Sequence, residues 1–242
     1  MTLTPAALDG YAEQYYLSAG IDDIGIEERA QIAIGARIAR ELDGVGRVLE
    51  MGYGTGDMTA ALRGAGLAIE VVEGSPLLVE RARHDHPGLV VHEALFETFA
   101  PSEPYDAVLA LFVLEHVDDP VALLRTARTW LRPGGSLIAV VPNAESLHRR
   151  LAVQMGLHEN LDDLSPRDRL VGHQRVYSMD GLRADAEGAG LTVVAELGSF
   201  VKVVHNALME SWPTPILDGL NAIADVLPTR LLANVGVRAV RP

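Results

Sequence analysis

Residues 48–57 read Val-Leu-Glu-Met-Gly-Tyr-Gly-Thr-Gly-Asp: an apolar run carrying an acid, then a glycine at every second position. The apolar part reads as the first strand of an open α/β sheet. The glycines form the loop at its C-terminal edge, where such sheets hold a nucleotide-like ligand. Gly52, Gly54 and Gly56 let the backbone turn sharply and let a ligand approach the main chain without meeting a Cβ. The spacing is G-x-G-x-G, one residue tighter at the third glycine than the dinucleotide fingerprint G-x-G-x-x-G. A second acid, Glu73, closes the next apolar run, Ile69-Glu70-Val71-Val72. A carboxylate there can take both hydroxyls of a ribose.

Outward from this stretch, strand and helix signals alternate, as in a parallel sheet covered on both faces. Strands are expected at 47–51, 68–73, 88–92, 105–111, 136–141 and 191–198, with a last, antiparallel one within 231–240. Amphipathic helices are expected near 5–18 and 27–42, the second with Glu27 and Glu28 in its first turn and Arg37 and Arg40 near its last, as the helix dipole prefers. Ser75 before Pro76 and Asp119 before Pro120 are helix starts. Pro133-Gly134-Gly135 stops the helix ending at Leu131, and a further helix is expected near 179–190. One α/β domain accounts for residues 1–242: N-terminal helices over 1–43, a cofactor-binding core over 44–143, and irregular stretches at 144–177 and 200–228. Insertions of that size at a sheet edge carry function, and these are expected to cap the substrate.

Composition narrows the classes. At 242 residues and 48% apolar the chain can bury a full core as a single domain. No apolar run is long enough to span a membrane and no signal pattern opens the chain, so a cytoplasmic protein without a membrane partner is expected. A net charge of −13 disfavours a nucleic-acid substrate. The absence of cysteine excludes disulfides, thiolate catalysis and Cys-ligated zinc. Nothing in the sequence sets the number of subunits.

Strand, glycine loop, helix, strand and acid together resemble the class I S-adenosylmethionine-dependent methyltransferases. The segment Leu114-Glu115-His116-Val117-Asp118-Asp119-Pro120, with Val141-Pro142-Asn143 after the fifth strand, resembles the branch that includes the ubiquinone-pathway O-methyltransferases. The resemblance spans about residues 40–200. It implies a Rossmann-like, mostly parallel seven-stranded sheet with helices on both faces, an N-terminal helical lid and a helical substrate cap, with S-adenosylmethionine as co-substrate. It places Glu50 at the acid that orients the methionine part, and Gly52, Gly54 and Gly56 at the loop meeting the amino-acid moiety. Glu73 stands at the ribose acid, and Ser75 and Leu77 where the adenine edge packs. At the adenine amino group Ala94 stands where an acid is usual, leaving the Leu95 backbone and the Phe96 ring. Leu111, at the end of the fourth strand, completes that side, and Tyr11 and Tyr15, one helical turn apart, are placed to close over the cofactor.

Methyl transfer to a hydroxyl needs the nucleophile in line with the sulfonium methyl and a group to take its proton. His116 is the natural base, since its ordinary pKa lies near neutrality, and the alternative is a histidine that fixes its loop. Glu115 and His173 complete the candidate catalytic set. Some relatives hold a divalent metal through E-x-x-E-H and a later histidine. Here Phe112 replaces one carboxylate, so no metal is assigned and substrate contact by His173 is favoured. Arg175, Lys202 and Tyr16 are candidate substrate contacts, Arg175 through a planar fork suited to a carboxylate or phosphate. The expected reaction is methyl transfer to a small molecule, at an oxygen of a specialised metabolite or sugar-derived precursor. N-methylation of an amino sugar or amino acid is the alternative among enzymes, and a non-catalytic S-adenosylmethionine-binding module the alternative outside them.

Overall fold

The computed structural model describes residues 4–15 and 24–242. Seven strands form one sheet: β1 (Arg47–Met51), β2 (Ala68–Glu73), β3 (Val90–Glu93), β4 (Tyr105–Leu111), β5 (Leu131–Pro142), β6 (Thr192–Ser199) and β7 (Asn234–Val240), in the order β3-β2-β1-β4-β5-β7-β6. β7 runs antiparallel between β5 and β6, and the remaining pairs are parallel. Helices α1 (Pro5–Tyr15) and α2 (Ile24–Glu41) precede β1, and α3 (Asp57–Gly64), α4 (Pro76–Asp85), α5 (Pro120–Trp130), α6 (Leu147–Gln154), α7 (Pro166–Leu170) and α8 (Met179–Gly188) lie in the connections between strands. Between β6 and β7 lie α9 (Asn206–Met209), α10 (Thr214–Ala222) and two short 3-10 turns, Ile223–Val226 and Thr229–Leu231.

The apolar strands are buried on both sides because the pleat sends alternate side chains to opposite helical layers. Leu49, Met51, Val108, Ala110, Leu137 and Ala139 face a core completed by Leu123, Leu124 and Ala127 of α5 and Leu182 and Ala186 of α8. Val48, Val71, Ala107, Leu109, Ile138 and Val140 face the other, completed by Ile34 and Ile38 of α2, Met58 and Leu62 of α3, and Leu78 and Ala82 of α4. Each fully buried side chain of this size contributes about 1.5–3 kcal/mol relative to exposure. The helix starts are built as the sequence indicates. Ser75 Oγ accepts from the Leu78 amide at 3.3 Å and Asp119 Oδ1 from Ala122 at 2.9 Å, each ahead of a proline at the first helical position.

β5 is longer than the expected 136–141. Leu131 already pairs with Tyr105, and the strand passes through Pro133-Gly134-Gly135 with Gly134 at φ +76° and a register shift opposite Tyr105–Ala107. Pro133 and the two glycines bend the strand rather than end the pairing, since the Gly134 amide donates to Arg241 O and the Arg241 amide to Gly135 O, each at 2.9 Å. The C-terminal end of the sheet therefore gathers the ends of β1, β2, β4, β5 and β6. Its topological switch lies between β1 and β4, which pair Glu50 with Leu109.

Candidate active site

At the β1 end, the Gly52 amide donates to Val72 O at 2.9 Å and the chain turns through Gly52, Gly54 and Gly56 at φ +80°, +56° and +87°. Left-handed backbone at three alternating positions requires glycine. A Cβ at Gly52 would meet nothing within 4 Å, so the space before the loop is open. At Gly56 it would lie 2.3 Å from the Tyr53 hydroxyl, so that glycine is demanded by packing as well. Glu73 fixes the loop from β2: its Oε2 accepts from the Tyr53 amide at 2.9 Å and its Oε1 from Ser75 at 2.7 Å. Burial pushes this carboxyl up from its ordinary range, against the pull of those amides. Each oxygen keeps a further lone pair for a diol. Glu50, also buried, accepts from Thr59 Oγ1 at 2.6 Å, and burial raises it to about 7.

Helix α1 lies over this edge. Asp9 Oδ1 accepts from Ser75 Oγ at 2.5 Å and from the Leu77 amide at 3.1 Å, placing a carboxylate on the N-terminus of α4, where the helix dipole favours it. Leu8 and Leu95 both close on Gly74, where a Cβ would sit 2.6 and 3.0 Å from their methyls. One turn on, the Tyr11 hydroxyl donates to Val171 O at 2.7 Å and stands 3.3 Å from His116 Nδ1, with the Tyr15 ring 4.4 Å from its own. Asp9 carries no signature in the sequence, because its partners lie more than sixty residues away.

The loop after β4 brings the polar groups. Phe112 sits at φ +56°, a conformation that strains a side chain with a Cβ, and its amide donates to Val140 O at 2.8 Å. Glu115 follows, fully buried, with neither carboxylate oxygen hydrogen-bonded. Burial raises it to about 8, so it is largely protonated at neutrality in the absence of a cation. His116 is lowered to about 4 by burial and by His173, and is a neutral imidazole. The His116 and His173 rings meet edge-on with centroids 4.8 Å apart. Asp168 accepts from His173 Nδ1 at 3.1 Å and from Arg149 at 2.5 Å. Burial works against its charge, but these partners and Ser165 hold it well below the carboxylate range. Glu115, His116 and His173 each bring one ligand atom within 4.8 Å of the others, the one such cluster among the described residues.

A family profile described as Methyltransferase domain matches residues 26–196. The chain belongs to the methyltransferase-domain family. A ubiquinone biosynthesis O-methyltransferase of Xanthomonas campestris pv. campestris (strain B100) is 34% identical over 126 residues, which is 50% of this chain and 52% of that one. The chain thus matches that relative over about half its length. Among solved structures, an S-adenosylmethionine-dependent methyltransferase of Thermotoga maritima, described as a possible histamine N-methyltransferase, superposes with a TM-score of 0.63 at 19% identity, covering 98% of this chain and 97% of that one. The N-methyltransferase NodS of Bradyrhizobium japonicum, bound to S-adenosyl-L-homocysteine, superposes at 0.52 with 16% identity, over 88% and 87%. At these identities the two structures establish the methyltransferase fold.

The co-substrate of this methyltransferase family is S-adenosylmethionine, and the face of the loop where a Cβ at Gly52 would meet nothing lies at the strand ends that carry the buried Glu50 and Glu73. Ser75, Leu77 and Leu95 lie together at the α4 side, and Phe96 packs half-buried against the core. Leu111 is buried at the β4 end. Arg175, expected as a substrate contact, is engaged within the protein. Its guanidinium is not presented as a free fork. It donates to the carbonyls of Leu114 at 2.8 Å, of Val117 and of Asp118, tying down the loop that carries Glu115 and His116. Lys202 is half-buried just past β6, on the His148 side of the edge, where burial first and then the Lys202 charge push the His148 imidazole well below its ordinary range. Tyr16 lies outside the described residues.

Proposed function

We propose that this methyltransferase-family protein transfers the S-adenosylmethionine methyl group to an oxygen of a small-molecule acceptor, a specialised metabolite or a sugar-derived precursor. The observation that carries the reading is the pairing, at one sheet edge, of an open glycine loop with a buried cluster of one carboxyl and two imidazoles. The sulfonium is already an activated electrophile. The S–CH₃ bond breaks as the O–CH₃ bond forms, the thioether leaves neutral, and the protein must place the hydroxyl in line and receive its proton. The loop, Glu50 and Glu73 hold the cofactor with its methyl toward the β4 edge. Glu115, His116 and His173 stand where the acceptor oxygen arrives and the proton leaves. Resemblance to a ubiquinone-pathway O-methyltransferase supports oxygen over nitrogen. Helix α1 excludes water from the sulfonium, and Lys202 and Tyr16 recognise the acceptor.

The test is release of S-adenosylhomocysteine on a panel of phenols, catechols, sugar alcohols and the matching amines, with cofactor binding followed by calorimetry. Turnover on hydroxylated acceptors, reduced about 10²–10⁴-fold by His116→Ala with cofactor affinity kept, is expected. Turnover confined to amines would refute oxygen transfer. Cofactor binding with no turnover on any acceptor would leave a binding module.

A further inference from the structure

Helix α1 brings one carboxylate to the corner between β2 and α4, and only half of it is engaged there. Asp9 Oδ1 accepts from Ser75 Oγ at 2.5 Å and from the Leu77 amide at 3.1 Å, while Oδ2 meets no donor among the described residues. The two bonds fix the plane of the group, and the second oxygen keeps its lone pairs for another donor. A glycine makes this approach possible. A Cβ at Gly74 would sit 2.6 Å from a Leu8 methyl and 3.0 Å from a Leu95 methyl, with Ala94 O at 3.6 Å, so a side chain there would push α1 off the corner. Gly74 is not among the residues with positive φ, so it is this closeness, and not the backbone, that asks for glycine.

With its ribose on Glu73, the cofactor sends its adenine along Gly74, Ser75 and Leu77 and across to Ala94 and Leu95, whose segment is tied to β2 by the Ala94 amide on Glu73 O at 3.0 Å. Asp9 stands close enough to this acid for its charge to add to burial in pushing Glu73 up. Adenine needs apolar walls for its faces and an acceptor for its amine once that amine leaves water. Leu8, Leu77 and Leu95 are the apolar side chains of the corner. Ala94 has no polar side-chain atom, and Ser75 Oγ is engaged with Asp9 and with the Leu78 amide at 3.3 Å. We propose that the second oxygen of Asp9 accepts the adenine amine, so that α1 completes the nucleobase end of the cofactor site and selects the base. A carboxylate accepts from an amine and repels a carbonyl oxygen in the same place, so the contact discriminates as well as binds. The proposal goes beyond the methyl-transfer reading and shares with it only the seating of the cofactor on Glu73.

The test is calorimetric binding of two ligands to the full-length protein: S-adenosylhomocysteine, and its analogue with hydrogen in place of the adenine amino group. The analogue keeps the ribose, the amino-acid moiety and the ring nitrogens and lacks only the donor. Wild-type protein should bind it about tenfold more weakly. Asp9→Ala should bring the two ligands to the same affinity, because removing the acceptor leaves the amine nothing to distinguish it. Asp9→Asn has one oxygen for both tasks. With that oxygen on Ser75 and Leu77 the amide nitrogen faces the amine, so the preference should vanish while amide exchange in residues 5–15 stays near the wild-type rate, a split that a merely structural Asp9 would not show. Glu13→Ala, exposed on the same helix, should change neither affinity. Circular dichroism is measured on every variant, and if Asp9→Ala does not fold, Asp9→Asn decides. Equal affinity of the wild-type protein for the two ligands would overturn the proposal alone. A preference unchanged in Asp9→Ala would also overturn it and give the amine to the Ala94 carbonyl. Tighter S-adenosylhomocysteine binding by Asp9→Ala would overturn it too, by placing α1 where the adenine should lie. Wild-type protein that binds neither ligand would refute the seating on Glu73 and, with it, the methyl-transfer reading.

Discussion

Glu50 couples the fold to pH in a way that one amide substitution isolates. Its carboxyl is 2% exposed and accepts from Thr59 Oγ1, and burial raises it from 4.5 to about 7. Between those values the native protein holds a proton that the unfolded chain has released. Its contribution is therefore fully present below pH 4.5 and is lost as pH rises toward 7. At ~1.4 kcal/mol per pH unit, that interval corresponds to about 3 kcal/mol, a large part of the stability of an ordinary domain. Glu50→Gln keeps an acceptor for Thr59 and cannot ionise. The amide changes stability by some constant amount, so the quantity to read is the pH dependence of the difference between the two proteins. Urea denaturation without cofactor, from pH 4.5 to 8, should show the variant gaining about 3 kcal/mol on the wild type. Curves that run parallel across that interval would refute the assignment of a protonated Glu50 to the free protein.

Two further outcomes follow from contacts that span the edge. Arg175→Lys loses the fork on three carbonyls and should lower stability by about 2 kcal/mol in chemical denaturation. Unchanged stability with a raised acceptor KM would return Arg175 to the substrate side. Asp9→Ala removes the carboxylate from the α4 N-terminus, so amide exchange in residues 5–15 and S-adenosylhomocysteine dissociation should both quicken, the latter about tenfold. Exchange at the wild-type rate would show that α1 is held by Leu8 and Tyr11 alone.

Much of this architecture is legible in the chain because the forces that set it are local. The β1 run, the glycines and Glu73 act within some twenty-five residues. The starts of α4 and α5 are written in Ser75-Pro76 and Asp119-Pro120, and each of the seven strands overlaps the apolar run expected to form it. β5 begins earlier because pairing with Tyr105 carries it across a proline–glycine segment that reads locally as a stop. The cluster of Glu115, His116 and His173 was accessible through residue type and order. What holds it was not. Asp9 on α4, Arg149 on Asp168 and Arg175 on the β4 loop join polar residues that, taken alone, resemble ordinary surface charges. Their partners are selected by the fold, and no period or cap announces them. Arg175 shows the consequence, since a fork suited to an external carboxylate serves equally well for three carbonyls.

The antiparallel strand between β5 and β6 has a consequence for biosynthesis. During translation β6 emerges some forty residues before β7, and β7 is the strand it pairs with in the finished sheet. Until 234–240 leave the ribosome, the β5 flank is an open template and β6 is a ribbon with nothing beside it, a stage at which nascent chains recruit chaperones or pair with each other. The last threading step thus joins Ser136–Pro142 and Thr192–Ser199 into one sheet at once. The stretches that leave β5 and β6, carrying His173 and Lys202, are anchored to a closed sheet only then, well after β1, β2 and the glycine loop have been laid down.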